Sequence, residues 1–255
     1  MSAEKRRSLT ADNLRKIIIA IDGPAGAGKS TIARHLARHF GLLNLETGAM
    51  YRAFALKALR DALPLDQSAP LEQLAAETSI LLEPGEAENR VLLDGEDVTG
   101  LIRNPLVTDA ASRVSTFPAI RAWMVKQQQQ LAAAGGVVME GRDIGTVVFP
   151  QAPVKIFLDA APEVRGQRRY EQLDRQGRPA SAADSETGKP SAVGSEEILR
   201  DLRARDERDR NRADSPLRPA DDAVLLDSTN MTLDEAVAAA EAIVDSKLGK
   251  PKRGS

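Results

Sequence analysis

The residues 23–30 read GPAGAGKS, a stretch whose only chemically active side chains are Lys29 and Ser30. The spacing is GxxxxGK[ST]. Glycines in that arrangement let consecutive backbone N–H groups turn toward a phosphate at the positive end of the helix that follows. Lys29 then reaches the β and γ phosphates, and the Ser30 hydroxyl is placed for Mg²⁺. Gly23, Pro24, Ala25, Gly26, Ala27, Gly28, Lys29, Ser30 and Thr31 are therefore the expected nucleoside triphosphate site, with ATP the expected ligand and Ser30 the expected metal ligand.

Binding a triphosphate leaves three classes open: a hydrolysing switch or motor, a kinase, and a non-enzymatic binding module. The chain has no NKxD element for reading guanine and no LSGGQ-like stretch of transport ATPases. It is instead rich in placed arginine. A kinase for an anionic acceptor must bring two phosphates together, which requires fixed cations and Mg²⁺ that also stabilise transition-state charge. Three stretches meet that demand. In ETGAMYR, after the first helix, Thr47 and Arg52 are candidates for an acceptor phosphate; the alternative is that Arg52 is a solvated helix residue. EGRDIGT ends an expected buried strand, where parallel sheets place their ligands, so Arg142 and Asp143 read as site residues rather than a buried structural pair. RDLRARDERDRNR (200–212) taken alone reads as a solvated helix face laced with ion pairs. Yet Arg205, Asp209 and Arg212 stand at i, i+4 and i+7, the spacing of one helical face, as a lid closing cations over transferring phosphates requires.

The elements that must position these residues follow from pattern. Lys16 to Ile21 is a β-branched run, the signature of a strand buried on both faces, and from Ser30 apolar residues Ile32, Leu36 and Phe40 recur at helical intervals until Gly41. GGVVME (135–140) and APVKIFLDA (152–160) are further strands, the second followed by a helix from about Pro162. DAVLLDSTN (222–230) precedes another helix, with Thr232 and Glu235 at capping-box positions. Such alternation predicts an α/β fold with a parallel sheet covered by helices. Between Thr78 and Val98, PG and DG signals separate short strands, predicting a small antiparallel insert. QGRPASAADSETGKPSAVG (176–194) has little apolar content and reads as mobile and exposed.

Composition bounds the rest. The 255 residues suit one domain with inserted pieces; 42% are apolar and 28% charged, as in ordinary globular proteins. A net charge of −2 leaves no overall electrostatic footprint for nucleic acid or anionic membrane. There is no cysteine, which removes disulfides and thiol chemistry and fits a cytoplasmic protein, and no apolar run approaches the ~20 residues of a membrane helix. Residues 1–15 read as a disordered charged tail and 249–255 as a disordered basic one.

Taken together, IAIDGPAGAGKST, TGAMYR, LLDGEDVTGLIR, EGRDIGTVVFPQAPVKIFLDA, RARDERDRNR and PADDAVLLDSTNMTLDEAV resemble the bacterial cytidylate kinases, over residues from about 16 to about 245. The phosphate loop is shared with many kinases; GEDVT, GRDIGTVVFP and RDERDRNR are far more specific. The resemblance implies a P-loop nucleoside triphosphate hydrolase-type parallel sheet with helices on both faces, within a domain at 16–248. It further implies a small antiparallel monophosphate-binding insert at about 76–112 and a helical lid at about 173–212. It implies CMP or dCMP as the acceptor and a monomer, beside the ATP and Mg²⁺ cofactor that the phosphate loop calls for; that no nucleic acid and no membrane are partners, and that the protein is cytoplasmic, are the expectations drawn from composition above. By resemblance, Thr47, Arg52, Arg142 and Arg212 hold the acceptor phosphate, Arg205 and Asp209 contact ribose and phosphates, and Ser112, Arg121 and Asp143 read the base. Lys29, Arg142, Arg205 and Arg212 carry the catalysis. The base assignment is chemically consistent: cytosine shows acceptors at O2 and N3 and a donor at its 4-amino group, matching an arginine donor and a carboxylate acceptor.

The chain departs from the family pattern at Glu46 and Glu140, where Asp is common, and in a longer connection at 178–194. The expected mechanism is in-line transfer to an acceptor phosphate oxygen without a covalent enzyme intermediate. The only histidines, His35 and His39, lie on the first helix and are expected to pack or face solvent. The competing expectations are a kinase for another small anionic acceptor such as UMP, and an ATP-gated non-enzymatic switch.

Overall fold

The computed structural model describes residues 16–85, 89–175 and 192–249. Its centre is a five-stranded parallel sheet of β1 (Ile18–Asp22), β2 (Leu43–Glu46), β6 (Val137–Gly141), β7 (Val154–Asp159) and β8 (Val224–Asp227). The spatial order is β2-β6-β1-β7-β8. β1 is thus the central strand, and its register sets Asp22 opposite both Gly141 and Phe157, while Glu46 pairs with Glu140 across β2 and β6. The carboxyl ends of four strands therefore meet at one edge, the position at which open parallel sheets bind ligands.

The β-branched run of β1 is buried because both faces are covered. On one face, Ile19 and Ile21 pack with Val138, Val154, Ile156 and Leu158 beneath α1 (Lys29–Phe40) and α8 (Leu233–Lys247). On the other, Ala20, Val137 and Met139 pack beneath α2 (Thr47–Arg60), α4 (Pro105–Val114) and α5 (Pro118–Leu131), with Phe54, Ile120 and Met124 fully enclosed. At roughly 25 cal/mol per Å² of apolar surface removed from water, these two layers are the main driving force for the fold. Thr232 caps α8 as its spacing predicts: Glu235 N–H donates to the Thr232 hydroxyl and Thr232 N–H donates to the Glu235 carboxylate.

A second sheet of β3 (Ile80–Glu83), β4 (Arg90–Leu93) and β5 (Glu96–Asp97) is antiparallel, as the turn signals predict. Asp94 and Gly95 join β4 to β5 with φ of 50° and 88°, the paired positive values that a two-residue hairpin turn needs. α3 (Ser68–Ala76) leads into this insert, and a short 3₁₀ turn (Leu101–Arg103) leads out of it.

The structure corrects the sequence reading at three places. β2 was not anticipated; its four residues LNLE carry too short a pattern to separate from a loop. Of the stretch read as mobile, residues 192–194 belong to α7 (Ala192–Arg210), whose partner across that stretch is α6 (Pro162–Arg175); residues 176–191 lie outside the described residues, as do the tails 1–15 and 250–255. Third, α7 stops at Arg210, so Arg212 does not share a helical face with Arg205 and Asp209. It sits in the segment that turns back under the helix, where Leu217 N–H donates to the Asp209 carbonyl at 2.8 Å.

Candidate active site

The phosphate loop lies between β1 and α1. Gly23 is required sterically: a Cβ there would sit 2.0 Å from the Leu158 carbonyl oxygen on β7. Gly28, with φ of 98°, starts α1 from the left-handed region and presents the helix N-terminus to the loop. Lys29 is 7% exposed and its Nζ donates to the Pro24 carbonyl at 2.7 Å, which arches the loop over the amine. Burial lowers the Lys29 pKa, and the nearby Arg142 and Arg205 lower it further, against the opposing pull of Glu140 and Asp209. A cation so placed gains from any anion that enters.

Beneath the loop, the strand ends supply a polar floor. Asp22 is buried and accepts backbone N–H bonds from Ile144 at 2.8 Å and Gly145 at 2.7 Å. It thereby anchors a π-helical turn (Ile144–Val148) directly after Asp143. Glu140 is 4% exposed, and burial raises its pKa, with Glu46 raising it further against the pull of Lys29 and a hydrogen bond from Ser30. Its Oε1 has no hydrogen-bond partner. A buried carboxylate oxygen left open beside the Ser30 hydroxyl is the hard-oxygen environment that Mg²⁺ prefers, so these residues fit that ion. The Thr47 hydroxyl donates to the Glu140 carbonyl at 2.7 Å, and Arg52 donates to Glu46 at 2.5 Å. Arg52 is thus a paired, half-buried residue rather than a solvated one.

Above the floor, one carboxylate gathers the arginines. Asp209 accepts from Arg142 Nε at 2.8 Å and faces Arg212 Nη1 at 3.7 Å. Although burial alone would raise the Asp209 pKa, Arg142, Arg205 and Arg212 together hold it below the ordinary range. Arg205 is itself pushed down to about 10, by burial and then by Arg142. Arg212 also donates to the Ser215 carbonyl at 3.1 Å. The Nε atoms of Arg52, Arg121, Arg205 and Arg212 are buried without partners. Cations crowded to this degree, with donors left open, define a site for a polyanion.

At the far side, Arg121 from α5 pairs with Asp143, and its Nη1 donates to the Ser115 carbonyl at 3.3 Å. Its guanidinium carbon lies 6.0 Å from the centroid of the Tyr51 ring. Ser112 on α4 is 3% exposed and its hydroxyl has no partner, so it is a buried donor rather than a surface serine. The Ser115 hydroxyl donates to the Ser112 carbonyl at 2.9 Å, and this links Ser112 to Arg121 through Ser115. The structure therefore joins Arg121 to Asp143 and Arg142 to Asp209 and Arg212, while the Ser112 side chain makes no hydrogen bond to the other two.

One arginine that sequence reasoning passed over belongs to the same assembly. Arg165 on α6 is 2% exposed; it donates from Nε to the Ala160 carbonyl at 2.9 Å and from Nη1 to the Ala25 carbonyl at 3.0 Å, and pairs with Asp206 on α7 at 2.6 Å. It ties the phosphate loop to both helices. Nothing in QRRY or its surroundings separates Arg165 by pattern from Arg168 and Arg169; only its burial does.

A phosphate loop at the carboxyl edge of a parallel sheet, facing a second cationic basin, defines an α/β nucleotide-binding protein of the phosphoryl-transfer type. The cytidylate kinase family model matches residues 19–246. Cytidylate kinase of Pasteurella multocida is 42% identical over 233 residues, covering 91% of this chain and 97% of that one. The enzymes so named in Pelotomaculum thermopropionicum and Desulfitobacterium hafniense are each 48% identical, covering 86% and 88% of this chain and 92% and 90% of theirs. The chain belongs to the cytidylate kinase family. Among solved structures, shikimate kinase from Acinetobacter baumannii in complex with shikimate aligns at 18% identity and a TM-score of 0.42 over 94% of this chain and 98% of its own.

Proposed function

We propose that this chain transfers the γ-phosphoryl group of MgATP to CMP and dCMP, giving the diphosphate and ADP. The observation that carries the reading is the shared carboxylate Asp209, which holds Arg142 and Arg212 over a basin whose other wall is Lys29. Like charges are costly to crowd in a buried site unless an anion joins them, and two phosphates meeting in line provide that charge.

In this reading Gly23 through Thr31 cradle the ATP phosphates and Lys29 neutralises the β and γ oxygens. Thr47, Arg52, Arg142 and Arg212 orient the acceptor phosphate, and Arg205 reaches both nucleotides from α7. Ser30, with Glu140 beside it, would hold Mg²⁺, which when bound neutralises charge on the transferring phosphates. The acceptor phosphate is already ionised at neutral pH, so no strong base is required and catalysis rests on positioning and charge. Arg121 offers donors to the cytosine O2 and N3, and Asp143 accepts from the 4-amino group, with the open Ser112 hydroxyl as a third contact. In the free chain Arg121 and Asp143 satisfy each other, so neither is left as an isolated buried charge before the base arrives. Uracil inverts the pattern at N3 and position 4, and each mismatch costs on the order of 1–3 kcal/mol.

The test is ADP formation from MgATP with CMP, dCMP, UMP, AMP or no acceptor under identical conditions. Fast turnover confined to CMP and dCMP is expected. Equal turnover with UMP would remove the base assignment, and turnover independent of acceptor would replace the kinase with a hydrolase.

A further inference from the structure

The chain contains two histidines and no cysteine, so imidazole and thiolate ligation of a borderline metal rests on two imidazoles. Both converge on one point away from the site described above. His35 and His39 stand one turn apart on α1, and Glu241 faces them from α8. His35 Nε2 lies 2.6 Å, and His39 Nδ1 2.9 Å, from the same oxygen, Glu241 Oε1. One nitrogen from each histidine and one Glu241 oxygen lie within 4.8 Å of one another. The two imidazole rings are roughly parallel, 26° apart with centroids 6.1 Å from each other, and His39 rests edge-on against Phe40 at 4.7 Å. Beneath them, Leu36 and Ala37 of α1 pack with Ala240 and Val244 of α8, so the helix pair that carries the three ligands is held by the core.

We propose that His35, His39 and Glu241 form a binding site for a borderline divalent transition-metal ion of the Zn²⁺ class, clamping α1 to α8. Two histidines at i and i+4 place both rings on one helical face, and a carboxylate from a neighbouring helix completes an N₂O set with the fourth position open to water. Tetrahedral Zn²⁺ at about 2.0–2.1 Å from each donor needs donors roughly 3.3 Å apart, so the present separations of 2.6 and 2.9 Å open by about 0.7 and about 0.4 Å, within the reach of side-chain rotation. The side chains are 44%, 31% and 26% exposed, which leaves an ion a path from solvent. Imidazole suits Zn²⁺, Ni²⁺ and Cu²⁺, whereas Mg²⁺ prefers oxygen, so the metal that accompanies ATP does not compete for this site. Because α1 begins at Lys29, the clamp would brace the helix whose N-terminus faces the phosphate loop.

The experiment uses the full chain without a polyhistidine tag, titrated with Zn²⁺ alone in the presence of excess Mg²⁺, by calorimetry and by thermal denaturation. One Zn²⁺ per chain is expected, with a rise in the unfolding midpoint that grows with Zn²⁺ concentration. His39→Ala and Glu241→Gln are each expected to weaken binding by about tenfold or more and to abolish the midpoint shift. Both variants should keep their metal-free circular dichroism and their Mg²⁺-dependent turnover, since neither residue touches the nucleotide site. Absence of saturable binding, or binding unchanged in His39→Ala, overturns the site; binding unchanged in Glu241→Gln overturns the three-ligand assignment.

Discussion

Arg142 Nε lies 2.8 Å from Asp209 Oδ2, so a residue at the end of β6 is joined to the last turn of α7 across 67 positions of sequence. The bond couples the edge of the parallel sheet to α7. Asp209 also faces Arg212, and its own pKa is held low by the three arginines around it. A single carboxylate thus fixes the relative positions of cations from two elements. In the proposed reaction those cations stabilise the transferring phosphoryl group.

Arg142→Ala and Arg212→Ala are each expected to lower turnover with MgATP and CMP by roughly 10²–10³-fold, the scale of losing a charged group that acts in the transition state. Circular dichroism should show the fold retained. Unchanged turnover in either purified variant removes that arginine from the mechanism.

Arg121→Met removes the donor of the Arg121–Asp143 pair while keeping a long side chain. The expected outcome is a loss of the preference for CMP over UMP by about tenfold or more, from the cost of one mismatched base contact. The measurement is kcat/KM for the two acceptors in parallel; a ratio equal to that of the unmodified chain would exclude Arg121 from base reading.

Arg165 has a different role, since its guanidinium is held by protein groups: the carbonyls of Ala160 and Ala25 and the carboxylate of Asp206. Arg165→Met leaves Asp206, 8% exposed, without its buried partner, and should destabilise the chain by about 3–5 kcal/mol in urea unfolding. Arg165→Met combined with Asp206→Leu removes both charges and should recover a substantial part of that loss. A double variant no more stable than the single one would show that the ion pair is not the cause.

Asp22 sets a pH dependence of stability. Burial raises its folded pKa from 3.8 to about 6, with the N–H bonds from Gly145 and Ile144 opposing the rise. Between those values the folded chain binds more protons than the unfolded one. The Asp22 contribution to stability is therefore greatest below 3.8 and is lost as pH rises through about 6. The loss amounts to about 3 kcal/mol. Asp22→Asn cannot ionise, so its stability relative to the unmodified chain should rise by most of that amount, about 2 kcal/mol, between about pH 4 and about pH 7, measured without nucleotide. A difference that is flat with pH would contradict the assignment.

Local chemistry decided much of this protein before any chain was folded. GPAGAGKS specifies a phosphate loop because few side chains obstruct its backbone donors, and the β-branched run that becomes β1 specifies a strand buried on both faces. The Asp94–Gly95 turn and the Thr232 capping box are likewise legible, since their bonds span three residues or fewer. What sequence spacing could not supply is contact between distant segments. Arg212 is a local exception: it falls beyond the end of α7 and meets Asp209 three residues back as the chain leaves the helix, so helical periodicity named a relevant residue for a geometric reason that does not hold. β2 was too short to announce itself, yet it carries Glu46 beside Glu140. Arg165 looks like its neighbours in QRRY until folding buries it, and His35 and His39 find Glu241 only when α8 lies against α1. In each case the deciding quantity is burial or through-space distance, and these exist only once the sheet has brought its strand ends and helices together.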